Sequence, residues 1–199
     1  YSFDAAKVLQ DIVHYSLTMA RKVGYDNVGT WEWIVTRQGE PFLMEVNTRI
    51  QVEHPVTEMV TGVDLVKEQL RIAAGLPLTF TQDEITLHGH ALECRINAED
   101  PQQDFRPCPG TVEFLHVPGG PGVRVDTALF TGCVVPPYYD SLVAKVIAHG
   151  NTRLEAIRRM RRALEELMIQ GMVTTAELCH LILYQPDFVQ GQYHTGLLE

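Results

Sequence analysis

The apolar positions of this chain change rhythm several times, and each change predicts an element. Phe3, Val8, Leu9, Ile12, Val13, Leu17, Ala20 and Val23 fall mostly at steps of three and four. Residues 3–23 should therefore form an amphipathic helix, with Gly24 as its stop. Residues 28–35 are rich in tryptophan and β-branched side chains, 36–41 contain Gly39, and 42–46 turn apolar again. That pattern predicts a β-hairpin. Residues 47–62 show no clear period and are expected to be loop-like. Helical spacing returns over 64–74 and ends at Gly75, and Pro77 opens a connector.

From His88 onward the rhythm shortens. Strand-like runs at 89–97, 111–118, 123–125, 134–135 and 141–149 are separated by Pro107, Pro109, Gly119, Gly120, Pro121, Gly122, Pro136 and Pro137. This predicts a small β-rich domain. Asn151 could cap a long helix running through Gln170, with Met160 and Met168 as core fillers, and residues 174–184 suggest a further helix. No internal repeat or low-complexity tract is visible.

Composition changes the picture little. At 45% hydrophobic and 21% charged, the 199 residues read as an ordinary globular chain, which excludes long disorder and coiled coils. The formal charge of −9, from 25 acidic against 16 basic residues, argues against non-specific nucleic-acid binding. It leaves small anionic ligands open. Arg158, Arg159, Arg161 and Arg162 are interleaved with Glu155, Glu165 and Glu166, as on a solvated helix face with i,i+4 pairs. Cys94, Cys108, Cys133 and Cys179 form no CxxC pair, so reduced thiols and a cytoplasmic location are expected. No apolar run approaches the length of a membrane span and no signal peptide is visible. The sequence starts at Tyr1 directly on helical periodicity, which suggests a piece of a longer polypeptide.

The chemistry concentrates between Phe42 and His54. Glu45, Asn47, Arg49, Gln51 and Glu53 alternate with Met44, Val46, Thr48, Ile50 and Val52. In an extended backbone all five polar groups could share one face. Carboxylate, amide, guanidinium, amide, carboxylate suits a mixed-charge ligand site better than plain solvent. Fully extended, the strip would span roughly 26 Å at about 3.3 Å per residue, too long for one small substrate unless the chain bends. It divides into a metal end, Glu45 and Asn47, and an anion end, Arg49, Gln51 and Glu53. Glu32, on the preceding strand, would complete the metal end. Two carboxylates and an amide oxygen suit Mg²⁺ or Mn²⁺, not Zn²⁺.

Here the residues resemble a known family. The run EVNTRIQVEHPVTE at 45–58 is similar to the signature of biotin carboxylases, the ATP-grasp enzymes that carboxylate biotin within acyl-CoA and pyruvate carboxylases. GVDLVKEQLR at 62–71, GHALECRINAED at 89–100 and PPYYDS at 136–141 extend the likeness over nearly the whole chain. Thr48 and Pro55 resemble the acyl-CoA carboxylase branch, such as acetyl-CoA carboxylase of fatty acid biosynthesis, more than the pyruvate branch. The resemblance implies an α+β chain. Residues 1–75 would end an ATP-grasp core of antiparallel strands with helices, 76–85 would connect, and 86–199 would form the biotin carboxylase C-terminal β-rich domain with closing helices.

The resemblance also implies roles. Glu32, Glu45 and Asn47 would hold divalent metal bridging the ATP phosphates. Arg49, Gln51 and the Val52 backbone would position bicarbonate. Glu53 would be the general base and Arg95 would stabilise the enolate-like oxygen of biotin. Asp140 would orient Arg95 or cap a turn after Tyr139. Implied partners are ATP, bicarbonate, a biotinylated carrier, a carboxyltransferase component and a second copy of the chain docking through the C-terminal domain; nucleic acid and membrane are not among them. The family's N-terminal domain and its lid with a glycine-rich phosphate loop have no counterpart here, so the 199 residues alone are expected to be inactive. A non-catalytic assembly module, or another ATP-grasp ligase, are the alternatives. Elsewhere, His88 and His90 suggest surface or packing roles, His54 a turn before Pro55 or a tuner of Glu53, and Trp31 and Trp33 packing opposite Glu32. Ser141 lacks a nucleophile-elbow motif.

Overall fold

The computed structural model describes residues 3–198. The chain divides into two compact units. One holds the described residues up to His54 together with Asp64–Glu84; the other holds Pro55–Val63 and the described residues from Ile85 onward. The backbone therefore passes from one unit to the other three times.

The first unit opens with α1 (Ala5–Val23), which begins where Asp4 Oδ1 accepts the amides of Ala6 and Lys7 at 3.0 and 3.2 Å. It ends at Gly24, whose φ of 65° is a left-handed cap that costs glycine little. Strands β1 (Thr30–Val35) and β2 (Pro41–Asn47) form the expected antiparallel hairpin. Trp33 stacks on Tyr15 of α1 and its Nε1 donates to Ser16 Oγ at 3.2 Å, so α1 covers the tryptophan face. The opposite face carries Glu32 and, along the same strand, the exposed Ile34.

Residues 47–62 are not the featureless loop that their mixed polarity predicts, because α2 occupies His54–Thr61. Pro55 signals a turn in the sequence, yet proline is well tolerated in a helix's first turn, where its missing N–H is not needed. Helix α3 (Leu65–Ala73) follows, capped by Asp64 through the Lys67 amide at 2.8 Å. Its buried Glu68 accepts the Thr79 hydroxyl at 2.6 Å and the Thr79 amide at 3.1 Å. These bonds hold its carboxyl below the usual carboxylate range.

The second unit is built on β3 (His90–Asn97). Four short strands follow, β4 (Glu99–Asp100), β5 (Arg106–Pro107), β6 (Gly110–Thr111) and β7 (Phe114–His116), then β8 (Val123–Thr127), β9 (Val134–Val135) and β10 (Leu142–Gly150). The predicted run at 111–118 is thus split around the fully buried Val112. The main sheet has the order β3-β10-β8, antiparallel throughout. Helix α4 (Arg153–Glu166) lays Ala156, Ile157, Met160, Ala163 and Leu164 on it, the three- and four-residue steps of a buried stripe. Of these, Ile157, Met160, Ala163 and Leu164 join Ile96, Ala144, Val146, Ala148 and Leu183 in the core cluster. Complete burial of Met160 contributes about 2 kcal/mol.

Two expectations for this segment need correction. The cap is Thr152, whose Oγ1 accepts the Glu155 amide at 3.2 Å, while Glu155 in turn accepts the Asn151 amide at 2.8 Å. The helix also stops at Glu166. Leu167 turns extended, and Met168–Gln170 form β11, paired with β7. Met168 is accordingly a half-exposed strand residue, not a core helix residue. Helices α5 (Ala176–Ile182) and α6 (Pro186–Gln190) close the unit.

The arginines of α4 do more than face water. Arg159 and Arg162 make the expected i,i+4 pairs with Glu155 and Glu166. They also donate to His149 O and Gly119 O, bracing the glycine-rich turn at 119–122. Arg161 lies 3.9 Å from the centroid of the Tyr184 ring. Among the described residues no helix is long and apolar enough to cross a membrane.

Candidate active site

A single backbone irregularity organises the hairpin. Glu32 pairs with Glu45, but Trp33 pairs with Leu43, so Met44 is an extra residue in β2. Without this bulge the ladder counted back from Ile34 and Phe42 would set Met44 opposite Glu32. With it, two carboxylates face each other on the side of the hairpin away from the tryptophans.

Like charges opposite one another destabilise a sheet, and here one amide separates them. Asn47 Nδ2 donates to Glu32 Oε1 and to Glu45 Oε1, both at 2.9 Å. The two acceptors can be no farther apart than these bonds laid end to end. Gln51 Nε2 donates to the same Glu32 oxygen at 2.9 Å. Arg49 Nη1 reaches Gln51 Oε1 at 3.4 Å and Ile50 O at 3.1 Å. Glu32, Glu45, Asn47, Gln51 and Arg49 are thus one hydrogen-bonded cluster.

The extended strip is therefore a correction. β2 ends at Asn47, and the backbone bends at Thr48 and Arg49 before a turn at Val52 and Glu53. The His54 amide donates to Gln51 O at 3.2 Å, and His54 Nδ1 lies 2.9 Å from the same carbonyl. Since a carbonyl only accepts, Nδ1 carries the proton, and the His54 side chain pins the turn. The bend returns Gln51 to Glu32, so the metal end and the anion end meet. Glu53 is exposed and Val52 half-buried.

The donor set fits a hard divalent cation. Among the described residues no three His, Cys, Asp or Glu side chains gather as a metal site. Glu32 and Glu45 offer two carboxylates, and the Asn47 amide, which here points its nitrogen at both, completes an all-oxygen set of the kind magnesium accepts only when its side chain turns the oxygen inward.

Arg95 lies in the second unit, on β3, with its side chain exposed. Its carbonyl accepts Thr175 Oγ1 at 3.2 Å. Asp140 Oδ1 accepts the Leu142 amide at 2.8 Å, a turn cap ahead of β10. His88 Nε2 lies 2.7 Å from Thr86 Oγ1. A network that periodicity did not reveal surrounds Arg124 on β8. It donates to Glu58 Oε2 of α2 at 2.6 Å and to both oxygens of Asp126 at 2.8 Å, and Lys145 Nζ lies 3.5 Å from Asp126. The Arg124 guanidinium, foremost, holds the Asp126 carboxyl below its usual range, and Arg124 is itself held protonated. The available signal was the Arg-x-Asp alternation on one strand face.

A hairpin that gathers two carboxylates around one amide, followed by a β-rich unit closed by helices, argues for a chain built from parts of two different domains. The comparisons agree. Residues 5–81 match the family of the carbamoyl-phosphate synthase L chain ATP-binding domain, and residues 93–199 match the biotin carboxylase C-terminal domain. The chain belongs to the biotin carboxylase family. It is 53% identical over 193 residues to the biotin carboxylase of Haemophilus influenzae, covering 97% of this chain and 43% of that protein. Its identity to the Nostoc sp. biotin carboxylase is also 53%, over 180 residues, covering 90% of this chain and 40% of that one. Its fold superposes with a TM-score of 0.89 and 48% identity on the Hydrogenobacter thermophilus 2-oxoglutarate carboxylase biotin carboxylase domain, a dimer with MgADP, ADP and bicarbonate, covering 95% of this chain and 42% of that one. The chain thus spans about two fifths of the length of these relatives.

Proposed function

We propose that the chain supplies the cation-binding wall and the bicarbonate pocket of a biotin carboxylase, which uses ATP and bicarbonate to carboxylate biotin on a carrier. The observation that carries this reading is the convergence of Glu32, Glu45, Asn47 and Gln51 through shared hydrogen bonds. The bicarbonate and MgADP of the 2-oxoglutarate carboxylase relative support it.

Glu32, Glu45 and Asn47 would hold Mg²⁺ or Mn²⁺; when bound, the ion offsets phosphate charge during phosphoryl transfer. Arg49, Gln51 and the Val52 backbone orient bicarbonate, the planar guanidinium matching two of its oxygens. Glu53 takes the bicarbonate proton. The freed carboxylate oxygen attacks the γ-phosphorus of ATP, giving carboxyphosphate and ADP. Carboxyphosphate breaks down to CO2 and phosphate, and phosphate removes the N1 proton of biotin. Arg95 stabilises the oxyanion that develops on the ureido ring, and N1 then attacks CO2. Residues 1–75 act as the end of the ATP-grasp core and 86–199 as the C-terminal domain, which also joins two copies, as the dimeric relative suggests. A biotinylated carrier and a carboxyltransferase component are the further partners.

The test is Glu53→Gln in the full-length protein. Loss of a general base should lower bicarbonate-dependent ATP cleavage by about 10²–10⁴-fold while MgATP binding is kept. Undiminished cleavage would remove Glu53 from its role. The 199 residues alone are expected to show no such cleavage, with or without free biotin.

A further inference from the structure

A threonine just before a helix ordinarily turns its hydroxyl onto the helix's own first amides. Thr175 stands before α5, is buried, and makes no such bond. Thr174 takes over part of that task, with its Oγ1 accepting the Ala176 amide at 3.4 Å. The Thr175 hydroxyl is directed at β3 instead. There it donates to Arg95 O at 3.2 Å and accepts the Asn97 amide at 2.9 Å, while the Thr175 amide donates to Asn97 O at 3.0 Å.

β3 stands at the edge of the order β3-β10-β8. An edge strand presents backbone groups that have no strand to pair with, and Thr175 serves three of them. It grips β3 at Arg95 and again two residues on. Across the ladder Arg95 is paired with Lys145, and like charges set opposite one another push apart. Lys145 Nζ lies 3.5 Å from Asp126, which draws it towards β8. Arg95 and Asn97 share the strand face turned away from Ile96 and the core. The backbone that Thr175 holds therefore sets where the Arg95 guanidinium leaves the sheet.

We propose that Thr175 is a positioning residue for the carboxylation of biotin: its hydroxyl fixes the β3 backbone from which Arg95 reaches the ureido ring. This deepens the role proposed above for Arg95 and rests on it. Thr175 acts only through Arg95. A carbonyl and an amide served by one buried hydroxyl are both left unpaired by an apolar side chain, so without the hydroxyl β3 shifts to find new partners. Displacing a catalytic group by about 1 Å costs up to about 10²-fold in rate. Bicarbonate-dependent ATP cleavage in the absence of biotin is assigned above to residues of the first unit, and so reads a different part of the chain.

The test uses the full-length protein with free biotin as acceptor. Thr175→Val keeps the branched shape and loses the hydroxyl. It should lower kcat for biotin carboxylation by about 10- to 10²-fold while ATP cleavage without biotin keeps its rate. Thr175→Ser should restore carboxylation. Added to Arg95→Gln, Thr175→Val should cause no further loss, because effects that run through one group are not additive. Thr175→Ala carries the same expectations where Thr175→Val does not fold. A lowered melting temperature with wild-type carboxylation would overturn the proposal. So would parallel loss of both activities, failure of serine to rescue, or an undiminished effect of Thr175→Val in the Arg95→Gln background. Wild-type carboxylation by Arg95→Gln would overturn the role of Arg95 together with this one, whereas a large loss there beside a silent Thr175→Val would overturn this one alone.

Discussion

At the scale of the residue, Asn47 decides whether two carboxylates can stand opposite each other. Its amide donates to both, so the hairpin tolerates a cross-strand pair that would otherwise repel. Asn47→Asp exchanges that donor for a third negative charge. Without divalent cation the variant should melt below wild type, and added Mg²⁺ should raise its melting temperature more than it raises that of wild type. Thermal scans at several Mg²⁺ concentrations check this, and equal Mg²⁺ responses would show that the three side chains do not share a cation. Residue types and spacing make Glu32, Glu45 and Asn47 legible as one group in the sequence itself. The reason they meet is not legible there. It is the extra Met44, an ordinary apolar residue whose identity does not announce a bulge. An extended ruler places Gln51 at the anion end, and the bend at Thr48 and Arg49 brings it back to Glu32.

At the scale of the element, sequence signals serve well where one local interaction dominates. The stop at Gly24 and the buried stripe of α4 are of this kind. They fail where tertiary pairing decides. Residues 168–170 continue a helical pattern, yet the open edge of β7 takes them as β11. Helix α2 is hidden by polar residues that the second unit uses, Glu58 among them. The Arg124 network predicts a pH dependence for the sheet. The Asp126 carboxyl is held below its ordinary range, so the folded state binds fewer protons there than the unfolded chain. The stability it contributes is present above the unfolded value of about 3.9 and is lost as pH falls through the lower folded value. Urea midpoints measured from pH 7 down to pH 3 should decline in wild type. Asp126→Asn should start lower at pH 7 and decline less steeply. Parallel curves would show that another carboxylate carries the acid sensitivity.

At the scale of the whole molecule, the two units are threaded through each other in sequence. Residues 55–63 belong to the second unit although both flanks, up to His54 and from Asp64 to Glu84, belong to the first. Glu58 holds Arg124, and Val60 O accepts the His88 amide at 2.8 Å. A protease that cuts the exposed stretch at 81–84 would therefore sever the backbone without parting the products, because the N-terminal piece keeps a helix lodged in the other unit. Gel filtration of the nicked protein should give one peak at the elution volume of the intact chain, resolving into two bands only in denaturant. Separate native peaks would mean that this helix is dispensable. Neither unit is a continuous stretch of polypeptide, so no single cut yields both halves whole, and gene dissection at any one bond leaves at least one of them missing a strand or helix of its own.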